Sequence, residues 1–276
     1  MLAFVTTPGR HCAAFFDLDK TIIARSSTLA FSRPFYAGGL ITRRAVLRSA
    51  YAHFLFMAGG ADHDQMERMR EYLSKMVAGW DVQQVRVIVA ETLNDLIQPV
   101  VYREATALIE EHRAAGRDVV IVSSSGAEVV QPIGAMLGAD RVVATRMVVS
   151  EGRYTGEIEF YAYGEHKAAA IRQLAAEEGY HLPDCFAYSD SITDLPMLEA
   201  VGHPTAVNPD RTLRREAAAR SWPVRDFIHP VRLRDRVPRV PAPHAPAVAV
   251  AVAIGAGAAT AGLVWYAARH RERTAS

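Results

Sequence analysis

The strongest constraint on this chain is a short stretch in which an apolar run, Ala13 to Phe16, ends in Asp17-Leu18-Asp19-Lys20-Thr21. Four consecutive apolar residues without alternation fit a strand buried on both faces, as in a parallel sheet covered by helices. Side-chain direction repeats every two residues, so Asp17 and Asp19 project to the same side if the strand continues. Two like charges held that close repel unless a cation lies between them or one keeps its proton. Either remedy suits chemistry at the C-terminal end of a strand, where open α/β sheets bind their ligands. A strand ending in Asp-x-Asp is equally a turn with solvated carboxylates, and the rest of the chain has to decide between the two.

With 276 residues the chain holds one large domain or two smaller ones and has ample length for a core. Its formal net charge is +1, and the arginines are spread along it until the C-terminal region, so nucleic acid is not an expected partner. The 2 cysteines, Cys12 and Cys185, lie far apart, which excludes a disulfide scaffold and a Cys-x-x-Cys zinc site and points to a reducing compartment. Each precedes an aspartate, Asp17 or Asp190, by the same spacing, so the two thiols are expected at similar depth at the far end of the sheet, as small buried hydrophobes. Met1 to Arg10 has no basic stretch followed by a long apolar run, so no secretory signal is read there and a cytoplasmic catalytic domain is expected.

From Ile22 to Gln98 strand signals are few, and apolar residues recur at helical spacing through Ala45, Ala52, Phe56, Met66, Met69, Leu73, Met76 and Val77. This predicts a helical bundle inserted directly after the first strand, its methionines and aromatics forming the bundle core. A helix over Tyr102 to Ala115 is followed by the β-branched run Val119-Val120-Ile121-Val122, which leads into Ser123-Ser124-Ser125-Gly126. The pattern then alternates. A helix is expected at Ala127 to Leu137, a strand at Val142 to Thr145, a hairpin from Met147 to Tyr163 and a helix at His166 to Glu178. A strand at Cys185 to Tyr188, a helix from Leu195, a short strand at Thr205 to Val207 and a helix at Arg211 to Arg220 complete the series. Such alternation implies a mostly parallel, three-layer Rossmann-like sheet.

Three predicted strands therefore end in Asp17 and Asp19, in Ser123, and in Asp190 and Asp194, while Lys167 opens a helix between the last two. A cation near a helix N-terminus is unfavourable, which argues against an ordinary solvated lysine at Lys167. Carboxylates, a hydroxyl and one lysine at successive strand ends of one sheet make a candidate active site.

In these pieces the chain resembles the haloacid dehalogenase superfamily of phosphohydrolases, and within it subfamily IB, the phosphoserine-phosphatase-like enzymes. The matching motifs are Asp17-Leu18-Asp19-Lys20-Thr21, Val120-Ile121-Val122-Ser123-Ser124-Ser125, Gly164-Glu165-His166-Lys167 and Tyr188-Ser189-Asp190-Ser191-Ile192-Thr193-Asp194, in the family's order. The resemblance covers roughly Ala13 to Phe227. It implies a catalytic core over 1–24 and 98–228 and a helical cap over 25–97. It also implies Asp17 as nucleophile, forming an aspartyl phosphate, and Asp19 as proton donor to the leaving oxygen and later base toward water. Mg²⁺ would be held by Asp17, Asp190 and the Asp19 carbonyl, with Asp194 a second acidic partner, direct or through water. Ser123 and amides of the following loop, Ser124 included, would contact phosphate, and Lys167 would offset the gathered charge. Thr21 would either cap the turn after the strand or touch phosphate.

Two departures bear on the substrate. Phosphoserine phosphatases carry a glutamate nine residues after the nucleophile to hold the substrate amine, and this chain has Ser26 there. Their cap arginine for the substrate carboxylate has only Arg70 as a counterpart. Thr193 also stands where those enzymes usually have asparagine. Phosphoserine is therefore disfavoured.

Beyond Phe227 the composition changes. Residues 229–246 form an Arg/Pro-rich linker containing Arg232, Arg234, Arg236 and Arg239 with Pro238, Pro241, Pro243 and Pro246. Residues 247–268 are uncharged and alanine-rich, long enough as a helix (about 33 Å) for about 30 Å of hydrocarbon. With Trp265-Tyr266 beside a basic tail at 269–276, the segment is read as a single transmembrane helix anchoring the catalytic domain to the cell membrane. The reading is thus a Mg²⁺-dependent phosphomonoester hydrolase acting on a small or lipid-derived ester. Its alternatives are a phosphotransferase using the same intermediate and a catalytically silent membrane-anchored binding or regulatory protein. A homodimer is compatible with all three.

Overall fold

The computed structural model describes residues 11–41 and 74–228. In chain order the elements are β1 (Ala13–Phe16), α1 (Ser27–Ala30), α2 (Ser32–Ala37), α3 (Val82–Ile97), α4 (Arg103–Ala114), β2 (Asp118–Gly126) and α5 (Ala127–Leu137). They continue with β3 (Arg141–Ser150), β4 (Arg153–Phe160), α6 (Glu165–Glu178), β5 (Phe186–Ser189), α7 (Leu195–Glu199), β6 (His203–Val207), α8 (Arg211–Ala219) and β7 (Val224–Arg225). The strands form one sheet in the order β4-β3-β2-β1-β5-β6-β7. All neighbours are parallel except β3 and β4, which pair as an antiparallel hairpin.

Alternation along the central strands divides the core into two layers. Ala14, Phe16, Val119 and Ile121 face a cluster that contains Val85 and Val89 of α3, Ala105, Leu108 and Ile109 of α4, and Val130 and Ile133 of α5. Ala13, Phe15, Val120 and Val122 face the other, with Ile171 and Ala175 of α6, Met197 and Leu198 of α7, and Leu213 and Ala217 of α8. Because β1 is covered on both faces and paired on both edges, its four residues are all buried. Each large apolar side chain buried this way stabilises the fold by about 1.5–3 kcal/mol. The central strand is thus fixed from every side, and so is the chain direction at its end, where Asp17 begins.

The free edge of the hairpin is closed by the segment leading into α3. The Gly79 amide donates to the Tyr154 carbonyl (2.8 Å), the Tyr154 amide to the Trp80 carbonyl (3.1 Å) and the Val82 amide to the Gly152 carbonyl (3.0 Å). Gly156, at φ +90°, lets Ala78 approach so closely that a Cβ there would lie 2.9 Å from the Ala78 Cβ. The edge strand thereby loses the unpaired backbone that would otherwise template association.

Several expectations shift. Strand Val142 to Thr145 and the first arm of the hairpin are one ten-residue strand, β3, which bends away from β2 at a register shift beside Ser123 and Gly126. β7 is an additional two-residue strand. β1 and β5 are adjacent, and their register sets Ala14 beside Phe186, so Cys12 and Cys185 lie one step apart at the N-terminal end of the sheet, both free. The fold class is corrected in one component, the transmembrane helix. No helix among the described residues is long and apolar enough to cross a membrane. Segment 247–268 lies outside the described residues, so the described architecture is the α/β fold alone. Arg70 and the apolar series from Ala45 to Leu73 likewise lie outside the described residues.

Candidate active site

The site forms where β1, β2 and β5 end. Asp17 follows β1 directly, and its amide donates to the Tyr188 carbonyl of β5 (2.9 Å), which extends the strand pairing by one residue and holds the carboxylate at the sheet end. The chain then turns: the amides of Ile22 and Ile23 both donate to the Leu18 carbonyl, and Lys20 takes a left-handed conformation (φ +63°). Leu18, Ile22 and Ile23 are fully buried beneath this turn, which keeps Asp19 and Thr21 at the sheet end.

Lys167 lies in the first turn of α6 and is 2% exposed. Its Nζ donates to Asp17 Oδ1 at 2.7 Å and to Asp194 Oδ2 at 2.8 Å. The Ser189 hydroxyl donates to the same Asp194 oxygen at 2.7 Å. Burial alone would discharge the lysine, but the Asp17 and Asp194 carboxylates overcome it and hold the ammonium above its ordinary range. The loop before α6 turns at Gly164 in a left-handed conformation (φ +52°), which a side chain would strain, and leads directly into the helix that carries Lys167.

Asp190, at the end of β5, is raised to about 7, chiefly by burial and next by the Asp194 charge, while the exposed Lys20 opposes the rise. Burial, Asp194 and Asp190 push Asp17 upward as well, against Lys167. Three carboxylates thus converge on one buried ammonium, a surplus of negative charge that a divalent cation would relieve. Among the described residues no group of three or more His, Cys, Asp or Glu side chains could hold a metal ion by itself. Asp17 and Asp190 provide two carboxylates. That donor set fits a hard cation that completes its shell with backbone oxygen, water and a substrate oxygen, as Mg²⁺ does.

The opposite side is closed by the serines Ser123 to Ser125, which the sequence suggested as a loop and which form the end of β2. Ser123 is buried, and its hydroxyl accepts the Ser125 amide at 3.2 Å. Ser124 is exposed, and its carbonyl accepts the Thr145 hydroxyl at 2.7 Å. Thr21 is buried with no hydrogen-bond partner for its hydroxyl, so it caps nothing in this state. Asp19 accepts the Ser27 amide at 2.8 Å through Oδ1 and the Ser125 hydroxyl at 3.1 Å through Oδ2. Burial raises Asp19, and these two donors oppose the rise.

The structure therefore brings Asp17, Lys167 and Asp194 into direct contact, with Asp190 and Asp19 at the same sheet end. Arg70 is not among the described residues. Ser27, Ser125 and Ser189 also touch these groups; Ser125 and Ser189 lie within the matching motifs without an assigned role, and Ser27 was not singled out from the sequence. The signal for Ser27 is only its place in the pair Ser26-Ser27, while Ser125 ends the run Ser123 to Ser125 and Ser189 directly precedes Asp190.

A family model described as haloacid dehalogenase-like hydrolase matches residues 14–199. The chain is 70% identical over 264 residues to a protein of Streptomyces azureus named "Inhibition of morphological differentiation protein", covering 95% of each. It is 62% identical over 266 residues to a protein of Mycobacterium tuberculosis (strain ATCC 25618 / H37Rv) named a probable phosphatase, covering 96% of this chain and 92% of that one. A phosphoserine phosphatase solved with an analogue of its phospho-aspartyl intermediate superposes with a TM-score of 0.58 at 21% identity, covering 82% of this chain and 97% of the other. At that identity the superposition shows a shared fold.

Proposed function

The chain belongs to the haloacid dehalogenase-like hydrolases and is an enzyme of their phosphatase type, and from that premise we propose that it hydrolyses a small phosphomonoester through an aspartyl phosphate on Asp17, with Mg²⁺. The observation that carries the reading is the buried Lys167 Nζ shared between Asp17 Oδ1 and Asp194 Oδ2. An ammonium fixed on one oxygen of Asp17 orients the other toward phosphorus and balances the charge that arrives with the ester. Ser189 holds the Asp194 oxygen that the lysine touches, so Asp194 supports the lysine as well as adding negative charge.

In the proposed sequence Asp17 attacks phosphorus and the bond to the ester oxygen breaks. Asp19 gives that oxygen its proton, and the alcohol leaves. The Asp19 carboxylate then takes a proton from water as the water oxygen attacks the same phosphorus, releasing phosphate and regenerating Asp17. Asp17, Asp190 and the Asp19 carbonyl would hold Mg²⁺, which when bound supplies positive charge against the phosphoryl oxygens. Ser123 and Thr21 would donate to phosphate, and the unpartnered Thr21 hydroxyl favours this over the capping role. Ser26, which replaces the amine-binding glutamate, continues to argue against phosphoserine. The lipid-derived ester rested on the C-terminal segment and has no support from the described residues.

The test is phosphate release by the full chain over a panel of phosphoserine, sugar phosphates, nucleotides and lysophospholipid phosphates, with and without Mg²⁺, beside Asp17→Asn. Release that needs Mg²⁺ and falls at least about 10³-fold in the variant is expected. Equal release by Asp17→Asn would remove Asp17 as nucleophile. Transfer to an added alcohol in place of water would favour the phosphotransferase alternative.

A further inference from the structure

We infer that Ser125, together with Ser27 and Thr28, positions the proton donor Asp19, so that the segment following β1 sets the acid for the leaving group. The inference rests on the roles proposed above for Asp17 and Asp19. Its basis is a closed hydrogen-bond count at the Ser125 hydroxyl. A serine hydroxyl has one proton to give and two lone pairs to receive. Here the proton goes to Asp19 Oδ2 at 3.1 Å, the Ser27 hydroxyl donates to Ser125 at 2.8 Å, and Thr28 lies 3.1 Å from it. With its single proton already given to Asp19, Ser125 accepts from Thr28, and its capacity is full. The other Asp19 oxygen accepts the Ser27 amide at 2.8 Å.

Each Asp19 oxygen therefore has one fixed donor, and the donors come from different parts of the chain. Ser125 stands near the C-terminal end of β2, where its amide is tied to the Ser123 hydroxyl. Ser27 and Thr28 stand in α1, in the helical segment after β1, and Ser27 is fully buried. The two attachments remove the rotational freedom of the Asp19 carboxyl and leave one lone pair on each oxygen for a proton. Since Ser27 and Thr28 reach Ser125 only while α1 is seated against the end of β2, the geometry of the acid depends on that docking. Ser125 touches neither Asp17 nor Lys167 in any hydrogen bond described above, so it is a positioning residue.

This arrangement has a signature that general destabilisation would not produce. A group that positions the proton donor matters in proportion to how badly the leaving oxygen needs a proton. For Ser125→Ala, kcat/KM on a simple alkyl phosphate is expected to fall about 10- to 100-fold, while on p-nitrophenyl phosphate, whose leaving group departs as an anion, it stays within about threefold. Phenyl phosphate should fall between them. Ser27→Ala, which keeps the backbone donor to Asp19, should show the same order with a smaller spread, and Ser125→Thr, which keeps the hydroxyl, should recover the alkyl ester. Far-UV circular dichroism and thermal melting on each full-length variant establish that it is folded; should Ser125→Ala not fold, Ser27→Ala carries the same comparison. An equal fall on all three esters, or no fall on any, would overturn the inference. Asp17→Asn runs in the same assay: its turnover on any ester would strike at the nucleophile, independently of how the serine variants order the leaving groups.

Discussion

At Lys167 the attraction of two carboxylates outweighs the cost of burying an ammonium, so the ion pair is held together only while both signs are present. Removing the lysine leaves Asp17 and Asp194 facing each other in a dry site, a change that costs about 3–5 kcal/mol when a buried pair is broken. Lys167→Met is therefore expected to lower the unfolding free energy measured by urea titration by that order and to abolish turnover. Unchanged stability would mean that the carboxylates are neutral in the folded state. Asp17, Asp19, Ser123, Lys167, Asp190 and Asp194 were legible in the sequence because each sits at the end of an element whose apolar pattern is plain. Ser125 and Ser27 were not. Their role depends on a hydrogen bond spanning 98 residues in sequence, and nothing in local composition reports which of several adjacent serines turns inward.

Between elements, a buried polar array ties α4 to β5 directly behind the site. Arginine only donates, so Arg117 donates to His112 Nδ1 at 2.9 Å, and the protonated Nε2 donates to the Tyr188 hydroxyl at 2.8 Å. Phe16 of β1 stacks on Tyr188 with ring centroids 4.5 Å apart, so the array reaches the strand that carries Asp17. Burial, then Arg117 and Arg225, lower His112 from 6.5 to about 4. Between those values the unfolded chain binds a proton that the folded chain does not. The stabilising contribution is thus complete above the unfolded value and is lost as pH falls toward the folded one, by up to about 3 kcal/mol. Urea unfolding across this window should show that decline in the parent protein and a shallower one in His112→Gln. An identical slope would place the acid sensitivity elsewhere. The periodicity marked α4, α5 and α8 within a residue or so. It split β3 in two at Arg146, because that exposed charged residue interrupts the apolar pattern between Ala144 and the run Met147-Val148-Val149, although the strand continues through it. Nor could it find β7, whose two residues carry no pattern.

For the whole molecule, the order β4-β3-β2-β1-β5-β6-β7 explains why motifs scattered over the chain share one site. β1 lies between β2 and β5, so the three strand ends that carry Asp17, Ser123 and Asp190 are neighbours, and α6 returns Lys167 to the same end. The three-layer α/β class followed from alternation alone, and the family from four motifs in order. The C-terminal membrane helix was a reading of composition, which describes what a segment is made of and not what it packs against. The account as a whole stands on a covalent intermediate at Asp17. The measurement that tests it most directly is rapid acid quench of the full chain during turnover, followed by peptide mapping by mass spectrometry. A phosphoryl group on the peptide bearing Asp17, absent in Asp17→Asn, is the predicted result. Phosphate release without any phosphorylated peptide, or with the group on another residue, would contradict it.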